Sequence, residues 1–217
     1  MEIDFTPLLL SVKLATITTA ILFVISLPLS WFLSQTKSKL KPILETITAL
    51  PIVLPPSVLG FYLLVVFSPN SLISQLFGID ILFSWSGIVV ASLIYSFPFM
   101  VQPLQKGFEA LNREMIEVSY ICGKGYWETL FRVALPNIRP SLISAIVITF
   151  AHTIGEFGVI LMVGGGISEE TKVASIAIYE FVEMMDYNSA HIYSGILLFV
   201  SFATLLSLHI FQRHDKY

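Results

Sequence analysis

The sequence predicts an all-α fold, a polytopic bundle of transmembrane helices. Three observations carry that reading. Hydrophobic residues make up 55% of the 217 positions and charged residues only 12%, with a mean hydropathy of +0.82; soluble domains carry about a quarter charged residues. Apolar runs long enough to cross a hydrocarbon core about 30 Å thick recur along the chain. No strand-like alternation or βαβ repeat interrupts them. The length suits one domain, here a single membrane domain over 1–217.

Five runs qualify as spans: 8–33, 43–67, 81–104, 142–163 and 192–211. The first is too long for a signal-peptide core and has no small-residue cleavage site, so it is kept as a span. Lys13 lies near its outer end and can snorkel outward. Proline pairs kink the second span at 55–56 and the third near 98–103. Gly164, Gly165 and Gly166 mark a flexible turn after the fourth.

Orientation follows from the loops. The first loop carries Lys37, Lys39 and Lys41, and the second has no basic residue. The polar stretch 107–140 carries Arg113, Lys124, Arg132 and Arg139, with Lys106 beside it. The loop 164–191 sets Lys172 against Glu169, Glu170, Glu180, Glu183 and Asp186, and the tail holds Arg213 and Lys216. Basic and non-basic loops alternate, which puts the N-terminus outside and the C-terminus inside. Loop 107–140 is then cytoplasmic and loop 164–191 external. Within the latter, 173–182 reads as a short re-entrant or interfacial helix, too short and too charged to span.

The stretch 107–140 reads as two short amphipathic helices separated by Gly123-Lys124-Gly125. Leu111, Met115, Val118 and Cys122 share one helical face; Trp127, Leu130, Phe131 and Ala134 share the next. Gly123 breaks the first helix and Pro136 ends the second. Cys122 is the chain's single cysteine, so no intrachain disulfide forms, and a reduced, packed thiol is expected.

These residues carry a resemblance. Glu117-Val118-Ser119, three residues, Gly123, nine residues, then Val133-Ala134-Leu135-Pro136 resembles the cytoplasmic signature of binding-protein-dependent ABC importer permeases: Glu-Ala-Ala, three residues, Gly, nine residues, Ile-x-Leu-Pro. Val118 and Ser119 stand where the family has alanines. A second block, Leu50-Pro51-Ile52-Val53-Leu54-Pro55-Pro56 with Thr153-Ile154-Gly155-Glu156-Phe157-Gly158 through Ile178-Tyr179, is similar to the molybdate group of these permeases. Many relatives carry Arg where this chain has His152.

The resemblance implies a transporter subunit, not an enzyme, in a bacterial plasma membrane. It implies a homodimer, two cytosolic ABC ATPase subunits and an external molybdate-binding protein, with no nucleic-acid partner. The cytoplasmic loop then supplies the coupling helix: Glu117, Val118, Ser119, Cys122, Gly123, Gly125, Leu135 and Pro136, with most of the ATPase contact in 117–125. The chain has no G-x-x-x-x-G-K-[ST] phosphate loop, so ATP and Mg belong to the partner ATPase and this chain holds no cofactor or metal.

Glu156 and His152 lie four residues apart on one helical face inside the fourth span. An intramembrane carboxylate costs about 2.5–3.5 kcal/mol on insertion scales and faces the bundle interior or water. Two readings stand: a gate or pathway element in the dimer interface at His152, Gly155, Glu156, Phe157 and Gly158, with the glycines allowing close packing, or a hydrogen-bonded structural pair. The cargo alternatives are sulfate, thiosulfate or another tetrahedral oxyanion. A proton-coupled carrier using His152 and Glu156 is disfavoured because such carriers show internal repeats. An intramembrane enzyme is disfavoured because no nucleophile or metal cluster accompanies the pair.

Overall fold

The computed structural model describes residues 4–77 and 81–214; the side chain of Arg213, and Lys216, which entered the orientation argument, lie outside the described residues. Among the described residues the chain is helical, with no strand. The helices are α1 (Thr6–Gln35), α2 (Lys41–Val53), α3 (Pro56–Phe67), α4 (Leu72–Phe77), α5 (Trp85–Glu109), α6 (Arg113–Ile121) and α7 (Tyr126–Thr129). A π-helical turn at Leu130–Ala134 follows, then α8 (Leu135–Asn137), α9 (Arg139–Ile154), α10 (Gly158–Gly164), α11 (Ala174–Glu183) and α12 (Tyr187–His214).

Three of these, α1, α5 and α12, are each long and apolar enough to cross a membrane. The second apolar run is more than kinked. It breaks at Leu54–Pro55, and α2 and α3 are bent by 108°. Pro55 and Pro56 are the cause: neither has an N–H for the helical ladder, and each ring crowds the preceding turn. By contrast α5 remains one helix through Pro98 and Pro103. The fourth run is also split, because α9 stops at Ile154 and α10 resumes at Gly158. The short helix expected at 173–182 is α11, offset by one residue. The helix α4 was not foreseen.

In lipid there is no hydrophobic drive between helices, so close backbone approach and interhelical hydrogen bonds hold the bundle. A Cβ on Gly107 would lie 2.5 Å from Cβ of Ser141, which brings α5 against α9. A Cβ on Gly60 would lie 2.9 Å from Cβ of Met162, which brings α3 against α10. The Ser30 hydroxyl donates to the Val101 carbonyl at 3.2 Å, linking α1 to α5.

Two ends of the bundle are defined by contacts. At one, Lys41 pairs with Glu109 at 2.8 Å, and Trp31 meets Phe108 edge-on at 5.1 Å and Tyr126 at 5.9 Å. Gln212 of α12 donates to the Ser144 hydroxyl of α9 at 2.8 Å on the same side. At the other, the Ala174 N–H donates to the Ser11 hydroxyl at 2.8 Å, Tyr193 donates to the Asp4 carbonyl, and Lys13 sits 4.5 Å over the Trp85 ring. Asp186 precedes α12 there; hydrogen bonds from Ser189 hold its carboxyl below the ordinary aspartate value.

Trp31 is fully buried and is the side chain that joins α1, α5 and the polar hairpin. Trp31→Ala is expected to cost about 3–5 kcal/mol by opening a cavity. Thermal unfolding of the detergent-solubilised chain checks this, and the hairpin should lose protection from proteolysis first.

Candidate functional site

Two regions hold the residues singled out above: the polar hairpin at one end and the break in the fourth apolar run.

The hairpin starts at Asn112, whose side chain caps α6 by accepting from the Glu114 N–H at 2.9 Å. The helix closes with a Schellman arrangement. The Gly123 N–H donates to Tyr120 and the Lys124 N–H to Ser119, at 2.9 and 3.1 Å. Gly123 has φ +81°, and a Cβ there would meet nothing within 4 Å. The glycine is therefore demanded by backbone conformation, and the tip is open. The second arm departs from a regular helix. Pro136 has no N–H for the Arg132 carbonyl and crowds it, and the preceding turn widens so that the Leu135 N–H reaches Leu130. The arm Tyr126–Asn137 lies at 83° to Arg139–Ile154.

The buried face of α6 is Ile116 and Ser119, not the face expected from Leu111, Met115, Val118 and Cys122. The Ser119 hydroxyl meets the Thr129 hydroxyl at 2.8 Å, which locks the two arms together. On the second arm Leu130 and Ala134 are buried as expected, while Trp127 and Phe131 are more than half exposed. Val118, Ile121 and Tyr120 are exposed too. Cys122 is exposed, which corrects the packed thiol expected for it: the cysteine caps the helix at the open tip, where no partner element covers it. Glu117 and Gly125 are exposed, Leu135 is half-buried and Pro136 exposed. The hairpin thus exposes Val118, Ile121, Trp127 and Phe131 on its outer surface.

At the break, Glu156 sits between α9 and α10 with its side chain fully buried. Ser92 donates to Oε2 at 2.6 Å and Ser96 donates to Oε1. Ser96 also meets the Thr153 hydroxyl at 2.8 Å. The Ser175 hydroxyl of α11 donates to the Glu156 carbonyl at 2.5 Å. His152 Nε2 lies 3.7 Å from the carboxylate, beyond hydrogen-bond reach. Its ring stacks on Phe99 at 3.8 Å and contacts Tyr95 at 5.0 Å.

Beside this cluster opens a recess of about 650 Å³ lined by Pro56, Ser57, Tyr95, His152 and the stretch Gly155–Gly158. Both helix breaks meet there. Within the chain Gly158 packs closely, since a Cβ would lie 3.0 Å from Pro56 Cβ, while Gly155 has only its own helix's carbonyls nearby. Phe157 turns toward α11 and contacts Tyr179 at 5.1 Å. Sequence reasoning missed Ser92, Ser96, Tyr95 and Ser57. A signal existed in Ser92 and Ser96, a polar pair four residues apart inside an apolar run. Among the described residues no group of His, Cys, Asp and Glu is arranged to hold a metal.

A family model described as the binding-protein-dependent transport system inner membrane component matches residues 26–215. The molybdenum transport system permease protein ModB of Azotobacter vinelandii is 44% identical over 216 residues, covering 98% of this chain and 96% of that protein. The sulfate transport system permease protein CysT of Escherichia coli is 30% identical, covering 87% of this chain and 69% of that protein. Among solved structures, a bacterial ABC transporter importing alginate aligns with TM-score 0.81 at 17% identity, covering 99% of this chain and 80% of that one. The MetNI methionine ABC transporter in inward-facing conformations aligns at 0.76 and 17%, covering 96% and 94%. At such identity the two structures speak to the fold alone. With the family model spanning most of the sequence and a full-length relative well above 30% identity, the chain belongs to the family of binding-protein-dependent transport system inner membrane components.

Proposed function

We propose that this chain is the permease subunit of an ABC importer that carries molybdate, and tungstate with it, into the cytoplasm. The observation that carries the cargo is the 44% identity to the Azotobacter vinelandii molybdenum permease, nearly end to end in both chains. The sulfate reading is the weaker, because the chain spans only 69% of the Escherichia coli sulfate permease.

The hairpin end faces the cytoplasm. It gathers Lys37, Lys39, Lys41, Lys106, Arg113, Lys124, Arg132 and Arg139, as the positive-inside rule requires. The opposite end carries Glu169, Glu170, Glu183 and Asp186, with Lys172 already paired to Glu180 at 2.6 Å. Two copies of the chain form the pore and two ABC ATPase subunits dock on the hairpins. A molybdate-binding protein delivers cargo from outside. ATP and Mg sit in the ATPases. Their closure pushes on the exposed surface formed by Val118, Ile121, Trp127 and Phe131 around Gly123. The Ser119–Thr129 bond and Trp31 transmit that push to α1 and α5, and rigid helices switch the cavity between its two openings.

The test is uptake into proteoliposomes holding the chain with its ATPase and binding protein. Radiolabelled molybdate should accumulate only with ATP, tungstate should compete, and excess sulfate should not. Sulfate competing as well as tungstate would transfer the cargo to the sulfate group.

A further inference from the structure

The helix α2 has little apolar packing to hold it. It buries only Thr48 and Pro51, while Ile43, Ile47 and Leu50 lie exposed. Apolar faces give no drive toward association in lipid, so polar contacts between helices carry the hold. The bundle helix that α2 packs on is α5, and four polar groups join the two at the hairpin end. Lys41 Nζ lies 2.8 Å from Glu109 Oε1 and 3.7 Å from Glu45 Oε1. The Gln105 amide donates to the same two oxygens, at 3.0 and 2.5 Å. Each carboxylate is thus shared by the ammonium and the amide. A lone exposed ion pair contributes little. This is a closed ring of four groups, and Gln105 within it is buried.

The ring bridges two parts of the fold. On one side, Glu109 ends α5 beside Phe108, which packs in one core with Trp31 and with Ile116, Leu130 and Ala134 of the hairpin. On the other, α2 runs into the break at Leu54–Pro55 and then into α3. There Gly60 lies against Met162 of α10, and Pro56 lies against Gly158. We propose that Lys41, Glu45, Gln105 and Glu109 are positioning residues for transport, which carry the hairpin's movement into the broken second span. The inference rests on the importer reading and adds to it a second route, beside the one through Trp31 to α1 and α5. Pro56 and Gly158 border the recess at Glu156, so this route ends where both helix breaks meet.

The test uses the complex with its ATPase and binding protein, with molybdate as the probe. Uptake, ATP hydrolysis and thermal unfolding are measured together. Glu109→Lys sets two ammonium groups face to face and is expected to cut the molybdate carried per ATP about tenfold, within the range of close-pair couplings. ATP hydrolysis and ATPase co-purification continue. The exchange Lys41→Glu with Glu109→Lys restores opposite charges and should recover most of the loss. Gln105→Met removes both amide hydrogen bonds at similar side-chain length and should cut the same ratio about threefold. It decides the matter if Glu109→Lys fails to assemble. An unchanged ratio in Glu109→Lys, or in Gln105→Met when that protein does not assemble, overturns the proposal. So does an exchange variant as poor as Glu109→Lys alone. A parallel fall in uptake, hydrolysis and unfolding temperature also overturns it, because the ring would then be a brace and nothing more. The wild-type arm separates the two levels. No ATP-driven uptake of molybdate or sulfate there overturns the importer reading and this proposal with it, whereas normal wild-type uptake with unaltered variants overturns this proposal alone.

Discussion

Gly123→Val is expected to abolish ATP-driven uptake while leaving the chain folded and inserted. Gly123 has φ +81° and closes α6 through hydrogen bonds to Tyr120 and Ser119. An L-residue in that region costs about 1–2 kcal/mol, and a β-branched one suffers most. That cost is small against the stability of the whole bundle, and a side chain at the tip meets no neighbour within 4 Å. The damage is therefore local: the turn opens, Lys124 and Gly125 swing away, and the second arm loses its register against Ser119. ATPase co-purification and uptake should both fall to background. Gly123→Asn is the control, because asparagine tolerates the left-handed conformation, and it should keep most of both. A valine variant with normal uptake would refute the role given to the hairpin.

Glu156→Leu is expected to lower both stability and uptake. The carboxylate accepts from two hydroxyls on α5, and its carbonyl accepts from Ser175 on α11. Leucine leaves Ser92 without its acceptor in a buried seam, at about 1–3 kcal/mol for a group left unsatisfied, while Ser96 keeps the Thr153 hydroxyl. Glu156→Gln keeps an acceptor oxygen and adds an amide that the second hydroxyl can accept, so it should unfold close to the wild type. Thermal unfolding in detergent, run beside uptake, distinguishes the roles. A Gln variant that is stable but inactive makes the carboxylate part of the pathway, whereas one that is stable and active leaves it as a brace between α5 and the helix break. A Leu variant as stable as wild type contradicts both.

Composition and apolar run lengths made the membrane class legible, and the spacing from Glu117 to Pro136 located the hairpin before any fold was known. The bend at Pro55–Pro56 was legible in kind but not in size, since two prolines announce a break while tertiary contacts set its angle. The split at Gly155–Phe157 was not legible. Gly155 closes α9, but a single glycine within an apolar run reads as close packing as readily as a break. The buried face of α6 was misread for a related reason. Periodicity favoured the larger apolar face, but the structure buries Ile116 and Ser119 because Ser119 has Thr129 to meet, and leaves Val118 and Cys122 outward. An exposed apolar face looks like a core face in sequence. The cluster at Tyr95, Phe99 and His152 joins residues more than fifty positions apart, beyond the reach of local pattern.

Cys122 provides the most direct test of the central claim. It is the single cysteine, exposed at the hairpin tip. A thiol-directed photocrosslinker placed on it in the assembled importer should yield one product, this chain joined to the ATPase subunit, with ATP-driven molybdate uptake blocked on crosslinking. A label that reaches no ATPase, in vesicles that still accumulate molybdate, would contradict the account.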